Sequence, residues 1–574
     1  MTHRTEEMFG LSQRAIELVW SEMAAFPLSP VAAGRTVDRL PDVGLANAAR
    51  RSALGRQVLD IINRIDARAL PRDQWLTLEV ARWTAARWAR EEEWYWLLFD
   101  PSGKGFFAMF APTAYAGGYL LGLVAGIFRS FVFAEPGDGD RYVGLVRDYV
   151  RLVRQLVDRT AGQAERGIYL PEPQRRQSLP LLRGLSEAAP ATLLPNAVRI
   201  AGPAFEEISE RVKSVIVEEV VPVFAAFIAL LEDPTYVASC PTNVGLGQYP
   251  GGREAYADLI RINTTLDLDA AQVHALGRDR ITAIRAEMTA LLAEIGFAGS
   301  IDNYLEQLMS DPTWRASGDA EIKAVFQRYI DRIEPHLEDN FTFRPKAGYG
   351  VAPLPAALSE GMTYGYYAAP KPGQADGLYV YNGANLAKKP VNGVGALTYH
   401  ELVPGHHFHF STQSESERLH PLRQHSFFNA YNEGWAEYAA TFAGEIGMYQ
   451  EPEERFGRLV SDAFLTCRLV VDTGLNVLGW GLEQGRAYMR DHGFLPDGEI
   501  QSETLRYACD IPGQALGYKL GDTFLLEARE RMRAALGEHF HVRKFHDAVL
   551  EPGALPLPIL ELHLNAEIER LQRT

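Results

Sequence analysis

Cysteine is scarce in this chain of 574 residues, which contains Cys240, Cys467 and Cys509. Three scattered cysteines exclude a disulfide framework and a zinc site built from thiolates. We expect them to be buried free thiols in a reducing compartment. The first residues also lack the charged and then apolar run of a signal peptide, and they carry no cysteine for lipidation. A cytoplasmic location is therefore predicted.

Positive charge is also in deficit, with 57 Lys and Arg against 73 Asp and Glu and a net charge of −16. Binding to phosphate backbones needs clustered Lys and Arg, so a nucleic-acid partner is excluded. The basic pairs Arg50-Arg51 and Arg175-Arg176 are isolated and are typical of solvated helix faces. We expect a peptide or small-molecule substrate as the partner. The sequence carries no signal for an oligomeric state.

Long apolar runs are rare, and the longest without charge lies at 105–128. Its length could span a bilayer. Pro112 and the Gly117-Gly118 pair interrupt it, however, so two buried core segments around a turn are expected instead of a membrane span. These segments are also candidates for lining a cleft.

Linkers and low-complexity tracts are missing as well, which favours one body over several domains. Apolar residues recur at spacings of three and four, and this pattern predicts helices at 45–95, 142–166, 204–232, 269–296 and 320–338. The segment Asp267-Leu-Asp-Ala-Ala-Gln272 predicts a capped helix start. Pro-rich stretches at 351–373 and 551–558 are predicted to be loops. We expect a mainly α fold, a single domain over 1–574 with two lobes around a cleft.

A distinctive motif lies at 398–407, Thr-Tyr-His-Glu-Leu-Val-Pro-Gly-His-His. In the pattern His-Glu-x-x-His on a helix, two imidazoles one turn apart bind zinc and the Glu acts on water. Here Pro404 stands where the second His is expected. The motif therefore indicates a zinc hydrolase only if the chain departs from a regular helix.

Regular helix geometry cannot bring these imidazoles together. His406 would lie about 240° around and about 9 Å along from His400, too far for Zn–N bonds of about 2.0–2.1 Å. His407 would return to the same face, but about 10 Å along. Pro404 lacks an N–H and should kink or bulge the turn. With the Pro-Gly pair looped out, His406 takes the ligand position and Glu401 stays beside the water, while His407 remains an alternative.

A second segment, Asn432-Glu-Gly-Trp-Ala-Glu-Tyr438, predicts a helix with two carboxylates on one face. Two His and one Glu with an open fourth position form a catalytic zinc arrangement. Glu433 or Glu437 could be the third ligand, the other then orienting an imidazole. We prefer Glu433.

Together these segments are similar to those of the bacterial zincin-like family catalogued as domain of unknown function 885. The resemblance extends from about residue 30 to 565 and rests on Pro250-Gly-Gly252, Asp376-Gly377, the motif at 400–406, Glu433-Gly-Trp-Ala436, Arg468-Leu-Val-Val-Asp-Thr-Gly474, Pro512-Gly-Gln-Ala515, Tyr518-Lys519 and the final Phe545-His-Asp...Gly553-Ala-Leu-Pro556.

The resemblance implies a large helical body related to thimet oligopeptidase and the Taq-type carboxypeptidases, with a small edge sheet beside the active-site cleft and a motif core at about 376–530. It implies His400, His406 and Glu433 as zinc ligands and Glu401 as the general base. One position departs from the family pattern. Asn476 stands where relatives commonly carry His, so any role of that His in substrate binding is lost or altered here.

A zinc hydrolase also needs a donor for the oxyanion that forms during attack. Tyr518 and Arg506 are the candidates, because both lie in a segment that the family keeps beside its site, and Tyr507 is a third choice. Lys519 and Asn476 are assigned to substrate binding.

A short strand is predicted at 377–382, where apolar and aromatic residues alternate. The family implies an edge strand whose backbone pairs with an extended substrate. Asp376, Asn382 and Asn385 are therefore weak candidates for substrate contact.

These features predict a zinc-dependent metallohydrolase that cleaves a peptide or peptide-like amide bond. Two alternatives remain: a metal-dependent lyase or hydrolase of a small non-peptide metabolite, and a metal-free binding protein on a retired peptidase fold. Zinc is the expected metal, and the ligand set also suits manganese or iron. Substrate preference and endo- or exo-cleavage are not indicated.

Overall fold

The computed structural model describes residues 3–27, 37–196, 203–354, 365–371, 374–386 and 388–573. In chain order its α-helices are α1 His3–Ala24, α2 Leu45–Ile62, α3 Arg72–Trp88, α4 Glu91–Trp94, α5 Tyr119–Ser130, α6 Asp138–Ala164, α7 Glu172–Glu187, α8 Ala189–Leu193, α9 Pro203–Val215, α10 Val221–Glu232, α11 Pro234–Ser239, α12 Gly252–Thr264, α13 Ala270–Glu294 and α14 Ile301–Ser310. They continue with α15 Asp319–Ile333, α16 Leu337–Asn340, α17 Gly383–Leu386, α18 Val394–Glu401, α19 His406–Glu415, α20 Pro421–Gln424, α21 Asn429–Glu445, α22 Pro452–Asn476, α23 Leu482–Gly493, α24 Asp497–Leu505, α25 Gly517–Leu536, α26 Val542–Leu550 and α27 Leu557–Gln572.

The prediction of a mainly helical chain is confirmed, and local sequence explains several helix limits. Asp269 caps α13 by accepting from the backbone N–H of Gln272, whose side chain in turn accepts from the backbone N–H of Asp269. The predicted helix at 45–95 divides into α2, α3 and α4. The predicted helix at 204–232 contains a π-helical turn, Ile216–Val220, just before Pro222, which has no N–H to donate.

Three strands form a small sheet with the order β1-β3-β2, where β1 is Tyr349–Pro353, β2 is Gly365–Ala368 and β3 is Gly377–Tyr381. The strand β3 pairs in parallel with β1, from Tyr349 opposite Gly377, and antiparallel with β2, from Gly365 opposite Tyr381. The predicted strand at 377–382 exists, but it is central and not an edge strand. The predicted loop at 351–373 was wrong in part, because it supplies the end of β1 and the whole of β2.

Buried apolar residues gather in two cores. The first core joins α1–α3 to the sheet and to most helices after α13. The second core is built mainly on α5, α6 and α9–α12. The helix α22 contributes to both, with Phe456 and Cys467 in the first core and Phe464 and Leu475 in the second. It therefore links the two cores of the fold. The prediction of two lobes around a cleft remains a prediction.

One stretch of the described chain, Phe205–Glu232, is long and apolar enough to cross a bilayer. Its inward side chains Phe224, Phe227 and Leu231 pack in the second core. Core helices meet the same criteria, so length and composition assign no membrane role here. Of the apolar run at 105–128, Phe110 and Leu120 are buried in the same core, as expected.

The helices α21 and α25 cross in direct backbone contact. A Cβ at Gly434 would lie 2.5 Å from the backbone of Gly521, and a Cβ at Gly521 would overlap the carbonyl oxygen of Ala430. This crossing brings Glu437 of α21 beside Lys519 of α25. Only glycine permits so short a distance, because a backbone cannot yield as a side-chain tip can.

We expect Gly521→Ala to destabilise the protein by about 1–3 kcal/mol, the usual cost of overpacking a closed contact. Gly144→Ala is the control, since Gly144 lies within α6 and a Cβ added there would have nothing within 4 Å. That variant should be neutral or slightly more stable, because Ala favours helix interiors. Thermal unfolding at a fixed scan rate measures both, and equal melting temperatures would contradict the account of the crossing.

Candidate functional site

The motif at 398–407 is divided between two helices. The helix α18 ends at Glu401 and α19 begins at His406. Leu402–Gly405 is a loop, where Trp435 donates its indole N–H to the carbonyl of Pro404 at 2.9 Å. A Cβ at Gly405 would overlap the carbonyl oxygen of His400. The Pro-Gly pair therefore ends one helix and starts another, a larger departure than the expected bulge, and it returns His406 toward His400.

His400, His406 and Glu433 lie together, with ligand-capable atoms all within 4.8 Å of one another. Glu433 Oε2 is 3.2 Å from His406 Nε2 and 3.7 Å from His400 Nε2. The two imidazole planes are nearly perpendicular, at 83°, with ring centres 4.8 Å apart. This arrangement points one nitrogen of each ring and one carboxylate oxygen at a common position.

Glu437 lies behind His400 and not beside the common position. His400 Nδ1 donates to Glu437 Oε1 at 2.8 Å, and Arg458 donates to Glu437 Oε2 at 3.0 Å. A carboxylate on Nδ1 fixes the ring and directs Nε2 toward Glu433. The sequence left Glu433 and Glu437 as alternatives for the third ligand. In the structure Glu433 faces both imidazoles, and Glu437 orients one of them.

The second imidazole has a different neighbour, since His406 Nδ1 lies 3.1 Å from Nε2 of His409. Burial lowers the pKa of His409 well below its ordinary value, so this ring is neutral and can accept from His406. Sequence reasoning missed His409, although its position three residues after His406 on one helix face was a signal. His407 points elsewhere, with Nδ1 2.9 Å from the Tyr367 hydroxyl and Nε2 3.2 Å from the Ala347 carbonyl.

The donor set suits a divalent cation. Glu433 Oε2 is buried and has no hydrogen-bond partner among the described residues apart from its ionic contacts with the two imidazoles. Burial alone would lower the pKa of His400, but Glu433 and Glu437 outweigh it and raise that pKa to about 10. Burial alone would raise the pKa of Glu433, and the imidazoles lower it instead. The site therefore stabilises positive charge. Two His and one Glu are also a ligand set that zinc takes in catalytic sites.

Glu401 and Tyr518 flank this cluster. Glu401 follows His400 directly and is half-buried, and burial raises the pKa of its carboxyl group above the ordinary value. The Tyr518 ring lies nearly parallel to that of His400, at 11° with centres 6.1 Å apart. Burial, reinforced by Glu433, raises the pKa of Tyr518 to about 12, so its hydroxyl keeps its proton. A carboxylate and a neutral hydroxyl are thus available beside the cluster.

Arg506 lies one layer farther out, where it donates to Gln514 at 2.7 Å and to Glu503 at 3.4 Å. Its guanidinium stacks over Tyr115, with 4.8 Å from Cζ to the ring centre. Tyr507 donates its hydroxyl proton to Glu503, so this hydroxyl is already engaged in a hydrogen bond. Of the three predicted oxyanion donors, only Tyr518 directly neighbours a ring of the cluster.

Two predicted substrate-binding residues have structural partners. Lys519 is 1% exposed and its ammonium group lies 2.9 Å from Asp462 Oδ1, 3.8 Å from Glu437 Oε2 and in contact with Asp522. Asn476 donates to the Asp472 side chain at 3.0 Å and to the Tyr507 carbonyl at 2.9 Å, and its Oδ1 accepts from the Leu246 N–H. Contact of either with substrate stays a prediction, since both side chains are turned toward protein groups.

The remaining candidates surround β3. Asp376 is exposed at the start of the strand, and its charge acts on the His407 ring. Asn382 is fully buried at the end of the strand. The side chain of Asn385 lies outside the described residues. A role in substrate contact for these residues also stays a prediction.

Half-buried aromatic rings extend from the cluster on the side of His406. Phe410 stacks on His406 at 5.6 Å between ring centres and on Tyr367 at 5.9 Å. Phe427 follows Phe410 at 6.4 Å in a nearly parallel orientation, and Phe106 follows Phe427 at 5.0 Å. We call Tyr367, Phe410, Phe427 and Phe106 the aromatic row. Sequence reasoning missed this row, because its members come from distant segments.

Comparison with known proteins adds a family and a fold. The family model described as "Bacterial protein of unknown function (DUF885)" matches residues 27–564. No curated protein matches the chain. The crystal structure of a putative lipoprotein from Colwellia psychrerythraea is similar with a TM-score of 0.84 at 22% identity, covering 99% of this chain and 100% of that one.

A second structure, that of a putative lipoprotein of unknown function from Shewanella oneidensis, has a TM-score of 0.69 at 18% identity and covers 96% of this chain and 99% of that one. At these identities the similarity shows the fold alone.

We expect protein purified without added metal to carry a metal ion that His406→Ala loses and His407→Ala keeps. The reason is that His406 Nε2 faces Glu433, whereas both nitrogens of His407 are engaged by Tyr367 and Ala347. Mass spectrometry of metal content measures this. The same metal content in both variants would exclude the proposed ligand set.

We expect Glu437→Gln to weaken metal affinity about 10- to 100-fold, because the charge that orients His400 is removed. Competition with a chromophoric chelator measures the affinity. Glu445→Gln is the matched control on the same helix, where Glu445 pairs with Arg529 and not with an imidazole. An equal loss in both variants would point to a general effect of charge or stability.

Proposed function

The chain belongs to the bacterial family of unknown function DUF885, and we propose that it is a zinc-dependent metallohydrolase that cleaves a peptide or peptide-like amide bond. The convergence of His400, His406 and Glu433 on one position, with Glu401 beside it, carries the proposal. We include a zincin-like relationship in it, because the His-Glu pair ends one helix and the carboxylate ligand comes from another. The intact ligand set favours an enzyme over a retired binding fold.

His400, His406 and Glu433 would hold the zinc, with Glu437 and His409 orienting the two imidazoles. Zinc bound by such a set polarises a carbonyl group and makes a coordinated water more acidic. Three ligands from the protein leave room for water and substrate, which a catalytic site requires.

Glu401 is assigned as the general base that takes a proton from the attacking water and later delivers it to the leaving amine. Its raised pKa suits both directions of transfer, because a carboxylate of ordinary acidity is a weak base at neutral pH. Tyr518 is assigned as the donor to the oxyanion, since its hydroxyl stays protonated beside His400. Arg506 supports this side of the site through Gln514.

An extended substrate would pair with β2, which replaces the centrally placed β3 in this role. Within the described sheet, β2 is hydrogen-bonded to β3 on one side. The hydroxyl of its Tyr367 contacts the ring of His407 on α19. An edge strand offers backbone donors and acceptors to an extended chain. The substrate is thereby guided past the aromatic row.

Cytoplasmic location remains part of the proposal, based on the cysteine content. The two similar structures are described as putative lipoproteins, which favours an exported location instead. Cell fractionation with an antibody against the chain distinguishes the two.

We expect Glu401→Gln to retain its metal and to lose at least about a hundredfold in turnover, the usual effect of removing a general base. Cleavage of a peptide library, followed by mass spectrometry and then by kcat on the best substrate, measures this. The control is Glu417→Gln, which changes an exposed carboxylate elsewhere. Full activity of Glu401→Gln would exclude the assigned mechanism, and metal-bound wild type that cleaves no peptide would favour a small-metabolite substrate.

A further inference from the structure

A cavity lies next to the aromatic row and has no part in the chemistry above. It offers about 60 Å³ to the centres of water-sized molecules, between α1, α2, α3, the loop 102–104 and the segment 422–428. Phe427 lines it and also belongs to the aromatic row. One ring is therefore shared between the row that starts at His406 and this cavity.

Two cations of the cavity wall, Arg87 and Lys104, have no ion-pair partner among the described residues, since neither lies within 4.0 Å of a carboxylate oxygen there. Arg87 makes one long contact, 3.5 Å from Nη1 to the carbonyl of Lys104, and its buried Nε has no hydrogen-bond acceptor in the same part of the chain. Burial in the cavity wall lowers the pKa of Arg87, and Asp100 opposes this shift. The Arg87 guanidinium would therefore gain from an anion within the cavity, and Lys104 is an exposed cation of the same wall.

The nearby carboxylates are committed to other partners. Glu22 pairs with Arg50 at 2.6 Å and Glu91 with Arg51 at 3.1 Å. Asp100 accepts from the backbone N–H groups of Ser102 and Gly105, which hold its loop. The described protein thus supplies no counter-ion in hydrogen-bond contact with Arg87, whose Nε is buried, although buried charges are normally paired. The exposed Lys104 ammonium likewise has no carboxylate in hydrogen-bond contact among the described residues.

The distance from the cluster to the cavity suits a short peptide. The path has ring-to-ring steps of 5.6 Å from His406 to Phe410 and 6.4 Å from Phe410 to Phe427. An extended chain advances about 3.3–3.6 Å per residue, so roughly three residues cover it. Apolar side chains of those residues would pack on the half-buried rings, where each aromatic contact adds favourable stacking.

We propose that this cavity binds a carboxylate of the substrate through Lys104 and Arg87, and that the aromatic row between it and the metal cluster selects apolar residues. The proposal rests on the proposed hydrolase function for placing the cleaved bond at the metal cluster, but the carboxylate site is defined by the cavity alone. The carboxylate is either the C-terminus of a short peptide or an acidic side chain, and the two sources share the same chemistry. The substrate class is thus a short, apolar peptide carrying an anionic group about three residues from the cleaved bond.

Binding can be measured without turnover in the Glu401→Gln protein, by calorimetry with three peptides. The probes are acetyl-Phe-Phe-Ala-Ala with a free carboxylate, the same peptide as its C-terminal amide, and acetyl-Phe-Phe-Ala-Glu as its C-terminal amide. Chromatography after each titration verifies that the peptides are intact. Peptide cleavage by the wild type is assayed separately, so a failed hydrolase proposal and a failed carboxylate site give different results.

In the Glu401→Gln protein, we expect the further substitution Lys104→Met to weaken the binding of a carboxylate peptide by about tenfold to a hundredfold. This is the loss typical of a charge-assisted hydrogen bond. The amide of the all-neutral peptide should bind weakly to both proteins and change less than about twofold. A loss confined to the free acid assigns the C-terminus, and a loss confined to the Glu peptide assigns an acidic side chain.

The matched control is Lys544→Met, which removes the same charge from a position that is exposed, as Lys104 is, but lies outside the cavity. It should leave all three affinities unchanged. Equal affinity of charged and neutral peptides for the parent protein, an equal change for all three in Lys104→Met, or no measurable binding of any peptide would each overturn the proposal. Melting temperatures of the two Lys variants verify that both are folded.

Discussion

The hydrogen bond from His400 Nδ1 to Glu437 is the contact on which the rest of the site depends. A buried carboxylate must be neutralised, and Arg458 and Lys519 do this from α22 and α25. Lys519 in turn needs Asp462 and Asp522. One imidazole is therefore held by a chain of opposite charges that joins four helices, and removing any one member takes a partner away from a buried charge.

Backbone contact makes this charge chain possible. Gly434 and Gly521 let α21 and α25 approach closely enough for Lys519 to lie beside Glu437. The same crossing sets Glu433 against the two imidazoles and Tyr518 against the His400 ring. The chemistry of the site and the packing of the first core are thus parts of one arrangement, and neither can be changed alone.

How much could be predicted from the sequence depended on the range of the interactions. The α13 cap at Asp269 and the interruption of the motif at Pro404-Gly405 follow from neighbours a few residues apart, and the sequence predicted both. Pairing of β3 with β1 and β2 is nonlocal, and prolines in 351–373 hid both partners. Lys519 and Asn476 each have one partner within a helical turn, Asp522 and Asp472. Their other partners include Asp462 and Leu246, which lie 57 and 230 positions away, so the local pattern could indicate only part of the contacts that tie these side chains to protein groups.

The loop at Leu402–Gly405 places His400 near the carboxyl end of α18 and His406 at the amino end of α19. Aligned peptide dipoles make the first kind of helix end partly negative and the second partly positive, each effect amounting to about 0.3–1 kcal/mol near an exposed charge. A single continuous helix would offer only its flank to a bound ion. The broken motif instead sets two helix ends of opposite polarity near one position, so that the proposed cation and the proposed oxyanion would each lie near a favourable pole.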